Sequence, residues 1–248
     1  MLLEQWAYRN RWRRVHPGAK AWLTLAAVVS AFLASQPWFL LALAASLALL
    51  TSWGAGIPWR IYLRVFFTPV SFLLVGTATL AVSLQPGEGA WPLILRLEPS
   101  QFSRVALVSG RSLACLSALL FFAFTTPLTE GIALLRRARV PQILLDLMTL
   151  GYRTVFIFLA TIHEMTTAQQ ARLGYATLKA ARRSLGSMIA VLTLQVWQRA
   201  AALDMAALAR GGEGSLIFLA PDFAPSRGSF LLAGLASLIM LGGACLIP

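Results

Sequence analysis

Charge is what this chain has least of. Only 12% of its 248 residues are charged, about half the roughly 25% of a soluble domain. The shortage is uneven: long uncharged apolar runs alternate with short basic clusters, the pattern of a polytopic α-helical membrane protein. A transmembrane β-barrel would need short strands of alternating polarity, and these runs are continuous. Cysteine and histidine are equally scarce. Cys115 and Cys245 both lie in apolar runs, which excludes a disulfide framework and a thiolate metal site. His16 and His163 are the only histidines, too few for an imidazole-rich metal centre. No GxxxxGK[ST] loop occurs, so ATP is not bound in this chain by that route. The opening MLLEQWAYRNRWRR has no apolar core followed by a small-residue cleavage site and is not read as a cleaved signal peptide.

What is present is a cationic balance: 21 Lys and Arg against 9 Asp and Glu, a net charge of +12. In a soluble protein this would suggest nucleic acid, but no nucleic-acid recognition motif accompanies it. Cations that hold loops on the inner side of a membrane and meet anionic lipid account for it.

Residues 1–20 are polar, aromatic and basic, carrying Arg9, Arg11, Arg13, Arg14 and Lys20. An apolar stretch from Ala21 to Trp53, broken at Ser35–Pro37, reads as two short helices joined by a tight turn. Residues 62–84 predict a third span, and QPGEGAWPLILRLEPS, residues 85–100, a loop with a short interfacial piece. Residues 104–124 predict a fourth span containing Arg104 and Arg111, and 229–247 a fifth. The expected organisation is a membrane region over 1–124, a module over 125–228 and a final transmembrane helix over 229–248.

The middle module differs in character. Thr126 before Pro127 marks a helix start, and Arg136, Arg137 and Arg139 gather at its C-terminal end, where they favour the helix dipole. Pro141 opens a second helical pattern reaching about Arg183, and a third covers roughly Ser187–Ala209. Within the second, residues 143–160 are apolar enough to suggest a span, yet they carry Asp146 and Arg153, seven residues apart and on one face. Intramembrane charges cost roughly 2.5–3.5 kcal/mol each at a helix centre. With an inner N-terminus and 125–228 inside, every cation except Arg96, Arg104 and Arg111 falls on the inner side, as the positive-inside rule requires. The expectation is therefore an all-α polytopic protein of about five transmembrane helices with a cytoplasmic or interfacial module of long helices. Charge counting alone leaves open whether 143–160 crosses, grazes or re-enters the bilayer.

Catalytic chemistry is poorly supplied. His163-Glu164 resembles the start of a zinc-hydrolase motif, but the run is HEMTT and the second histidine is missing. Glu88, Glu98, Glu130 and Asp222 lie in loops or caps, whereas transporters that bind their own substrate place ionisable groups inside the spans.

Two short runs remain: AQQARLGY at 168–175 and ALARGGEG at 207–214, their arginines 38 residues apart. In each, Arg follows Ala toward a helix end, with Gly soon after. Alanine leaves the arginine uncrowded and glycine lets the chain turn away. The exposed guanidinium that results suits bidentate contact with a partner's carboxylate or carbonyls.

Together with TTPLTEGIALLRRARVPQILLDLMTLGYR and HPGAK, these motifs resemble the transmembrane coupling (T) subunit of energy-coupling-factor importers, most closely the cobalt branch, CbiQ. The resemblance covers most of the chain. It implies a noncatalytic subunit in the plasma membrane, multi-pass, with its N-terminus and the 125–228 module cytoplasmic. It implies an ATP-binding-cassette ATPase dimer that binds ATP in place of this chain, and a separate membrane subunit capturing Co2+ or Ni2+. Carried onto this sequence, Ala171, Arg172 and Leu173 form one ATPase-docking motif, and Ala209, Arg210 and Gly211 the other. The family's usual form is Ala-Arg-Gly, from which Leu173 departs. Neither a cofactor nor a metal site is expected in this chain, and nucleic acid is not an expected partner. The same role in a nickel or vitamin importer is an alternative. Two other classes compete: a membrane-embedded enzyme using His163, Glu164 and Arg153, and a stand-alone permease.

Overall fold

The computed structural model describes residues 2–86, 93–97, 101–209, 211 and 227–246. Helices dominate: α1 (Leu2–Arg9), α2 (Pro17–Leu33), α3 (Pro37–Leu49, closing in a π-helical turn over Leu50–Gly54), α4 (Trp59–Ala81), α5 (Gln101–Thr125), α6 (Leu128–Arg137), α7 (Gln142–Ala171), α8 (Leu178–Ala209) and α9 (Arg227–Leu246). Between α4 and α5, β1 (Val82–Pro86) pairs antiparallel with β2 (Leu93–Leu97), Val82 opposite Leu97 and Pro86 opposite Leu93. The sequence reading put 82–84 at the end of the third span and 85–100 in a loop with a short interfacial piece. Strand pairing depends on a distant partner, and neither short segment announces it alone. The chain divides into two compact units, one of residues 1–131 with 221–248 and the other of 132–220.

In the first unit α5 is the central helix, packed against α1, α2, α3 and α4, while α9 lies against α2. Its core is built largely of small residues, including Ala27, Ala31, Ala114, Ala118 and Ala233, with Leu40, Leu47 and Phe121 between them. Small side chains let helix backbones approach closely, which is how apolar helices associate where lipid removes the hydrophobic drive. A second cluster joins Tyr62, Leu120 and Phe124 beside Ala55 and Ile57.

Five helices among the described residues are long and apolar enough to cross a membrane: Pro37–Gly54, Trp59–Leu80, Phe102–Thr125, Gln142–Ala171 and Gly228–Cys245. The total agrees with the expectation, but the membership differs. Pro17–Leu33 is apolar yet shorter, below the roughly 20 residues a bilayer core requires. Gln142–Ala171 passes on length and hydropathy, although its charges argued against a span. Asp146 in that helix accepts a hydrogen bond from the Gln142 amide, 2.9 Å away.

Two polar devices fix the first unit. Arg111, a charge in a span with no evident purpose in the sequence, donates from Nε to the Ala31 carbonyl at 3.1 Å and from Nη2 to Phe32 and Ala34 at 3.3 and 3.4 Å. Those are the last carbonyls of α2, orphaned by the helix end, and a guanidinium there also meets the negative end of the dipole. The second device closes the C-terminal end of α5. Asn10 donates to the carbonyls of Phe124 and Thr125, and Lys20 Nζ to that of Thr125 at 2.8 Å. The Lys20 ammonium lies 3.9 Å from the Glu130 carboxylate, both buried. Burial pushes the Glu130 carboxyl above the usual range, against the pull of Lys20 and Arg13. HPGAK and TTPLTE, far apart in sequence, thus meet at one junction.

Candidate functional site

The second unit holds the Ala-Arg motifs. Ala171 is the last residue of α7, and Arg172 caps it with φ −96°. Leu173 is left-handed, φ 57°. Its amide donates to the Gln170 carbonyl at 3.0 Å, and the Gly174 amide donates to Gln169 at 2.8 Å. This pair of crossed bonds is a Schellman turn, in which the left-handed position normally belongs to glycine. A left-handed leucine costs about 1 kcal/mol or more. Leu173 therefore departs from Ala-Arg-Gly in residue type and keeps glycine's conformation.

At the far end of α8, Ala209 is again the last helical residue. Gly211 is left-handed, φ 68°, and its amide donates to the Leu208 carbonyl at 3.0 Å. Arg210 lies outside the described residues. Gly211 thus repeats the backbone geometry of Leu173, each two residues beyond its helix. Ala171, Arg172, Leu173, Ala209 and Gly211 are all exposed. The structure does not gather the two motifs into one site. They stand at opposite ends of α8, whose 32 residues span roughly 48 Å at the α-helical rise.

A side-chain network that the sequence reading missed shapes the elbow between α7 and α8. Gln169 accepts from the Tyr175 hydroxyl at 2.7 Å and donates through Nε2 to the Ser184 carbonyl at 3.0 Å and to Ser187 Oγ at 3.2 Å. Ser184 Oγ in turn donates to the Gly174 carbonyl at 2.9 Å. A Cβ on Gly174 would lie 2.6 Å from Ser184 Oγ and 2.9 Å from the Gln169 carbonyl oxygen, so no larger residue fits there unmoved. Thr177 then opens α8, its hydroxyl accepting from the Ala180 amide at 3.2 Å, as N-cap threonine does. The sequence reading ran this helical pattern to about Arg183. The helix ends at Ala171, where Leu173 turns left-handed; the reading overran that end because leucine is no stop signal.

His163, Glu164 and Arg153 are exposed along α7. Among the described residues, no three His, Cys, Asp or Glu side chains gather in a way that could hold a metal ion. Ile143, Leu147, Ile189 and Trp197 leave apolar surface uncovered on α7 and α8.

The CbiQ family model, described as a cobalt transport protein, matches residues 9–218. The chain belongs to the CbiQ family. The match takes in both Ala-Arg motifs and the polar junction at Lys20. The cobalt transport protein CbiQ of Rhodobacter capsulatus is 33% identical over 219 residues, covering 86% of this chain and 85% of that protein. The CbiQ of Salmonella typhimurium is 31% identical over 208 residues, covering 79% and 90%. A putative fused cobalt transport protein, CbiMQ, of Methanocorpusculum labreanum is 26% identical over 223 residues, covering 87% of this chain and 37% of the longer protein. Family membership and the apolar helices together make the chain a multi-pass membrane component of the cobalt transport kind.

Proposed function

We propose that this chain is the noncatalytic coupling subunit of an ATP-driven energy-coupling-factor importer for cobalt ions. The observation that carries the reading is the matched pair of helix ends. Two long helices of one unit each finish on Ala-Arg, with a left-handed residue next, and the arginine at the first is exposed. Ends of one geometry, a helix length apart, suit two similar grooves on a pair of ATPase subunits. Arg172 and Arg210 would each make charge-assisted contacts there. ATP-driven movement of the ATPases would then be carried along α7 and α8 to a membrane subunit that captures the metal. The fused relative supports such a companion, because a cobalt transport protein of that printed name contains a counterpart of this chain within a longer polypeptide. The distribution of cations supports an N-terminus and a 125–228 module on the cytoplasmic side of the plasma membrane.

The test is affinity purification from host membranes of the wild type and of the double variant Arg172→Glu, Arg210→Glu. The wild type brings down an ATP-binding-cassette ATPase, and the variant inserts normally but loses it. Association at wild-type strength in the variant would refute docking through these arginines.

A further inference from the structure

We propose that Leu173 is an apolar anchor that seats the α7 end in its ATPase groove, so that the two ends of the coupling unit are unequal. This rests on the docking reading given above and goes beyond it. Leu173 holds a left-handed backbone, φ 57°, that a branched side chain adopts only at a cost. Gly211, in the same place at the other end, has the conformation free of that cost. A strained residue is retained where surrounding contacts or a function offset the strain. The Gln169 network helps close the turn, but it favours no residue type at 173, and Leu173, 74% exposed, buries little of its own side chain within the chain to supply the offset.

The turn's hydrogen bonds do not supply it either. The donors are the backbone amides of Leu173 and Gly174, and glycine at 173 would make the same bonds. What leucine adds is an exposed apolar side chain next in sequence to the exposed Arg172, and Lys179, Arg182 and Arg183 are exposed in the first turns of α8. Leu178, at the start of α8, is 79% exposed across the same turn. An apolar knob beside a guanidinium matches a groove with an acidic or carbonyl-lined wall and an apolar pocket next to it. Interface energy concentrates in a few well-packed, desolvated pockets in which arginine is enriched, and a leucine buried next to such an arginine adds the transfer free energy of its own apolar surface. At the α8 end the equivalent place is held by Gly211, which presents no side chain there.

The experiment measures binding of the co-purifying ATPase subunits to the full-length chain in detergent, for wild type, Leu173→Gly, Leu173→Met and Arg172→Glu. Hydrogen exchange at the Gly174 amide is followed in each. Leu173→Gly weakens binding about tenfold or more, the scale of one buried leucine, while Gly174 is protected at least as well as in wild type. Leu173→Met, which keeps an apolar side chain, binds close to wild type. Wild-type affinity in Leu173→Gly, with binding lost in Arg172→Glu, overturns the anchor and leaves docking intact. Binding retained in both overturns docking, and the anchor with it. Weakened binding accompanied by lost Gly174 protection also overturns the anchor, since the defect then lies in the turn.

Discussion

Gln169 is the side chain on which the elbow depends, and Gln169→Leu tests that dependence with the helix-forming character and bulk of the position roughly preserved. The substitution removes three hydrogen bonds, to the Tyr175 hydroxyl, the Ser184 carbonyl and Ser187 Oγ. A net hydrogen bond is worth about 0.5–1.5 kcal/mol. Two of these are partly buried and one is exposed, so the lower end applies and the expected loss is about 1.5–2 kcal/mol. That loss is local, because the backbone bonds of the Schellman turn use the Gln169 main chain and persist in the substituted protein. It should appear as more frequent opening of the elbow and leave the first unit unaffected. Hydrogen exchange of the Leu173 and Gly174 amides in detergent-solubilised protein reads this directly. Their protection should fall about tenfold to thirtyfold, while amides in the middle of α8 keep theirs. Unchanged protection at both amides would show that the Schellman turn holds the elbow alone and would refute the role given to Gln169.

Gly174→Ala should destabilise the same elbow, because its Cβ meets both Ser184 Oγ and the Gln169 carbonyl. Adding Ser184→Ala relieves only the first clash, so full recovery of thermal stability would contradict this account. At the buried junction, Lys20→Met and Glu130→Met should each cost about 3 kcal/mol by stranding the opposite charge. The double variant should lose clearly less than the sum in thermal unfolding, and strict additivity would show that the two groups do not interact across 3.9 Å. Arg111→Met should lower stability by about 2 kcal/mol by uncovering the last carbonyls of α2. Arg111→Lys should fall between the two, since an ammonium cannot reproduce the fork, and equal stability of the Lys and Arg proteins would argue against the cap.

The class of this protein was legible in composition, because the energetic cost of charge and of unpaired backbone in lipid leaves so few ways to place 12% charged residues. The Pro37 break and the Thr126–Pro127 helix start were equally readable, each resting on a local rule about proline or caps. The resemblance that named the two motifs was likewise a matter of short local runs. Where several residues distant in sequence must cooperate, the sequence was silent. Arg111 reads as an isolated charge until α2 ends beside it, and Lys20 and Glu130 read as unrelated until α5 brings them together. The β1–β2 pairing is invisible in either strand alone. Leu173 shows the limit most sharply. By residue type it should continue the helix, yet it turns left-handed. The Gln169–Tyr175–Ser184 network and the close approach of Ser184 and Gln169 to Gly174 are tertiary facts that hold the turn closed there, against one residue's backbone preference.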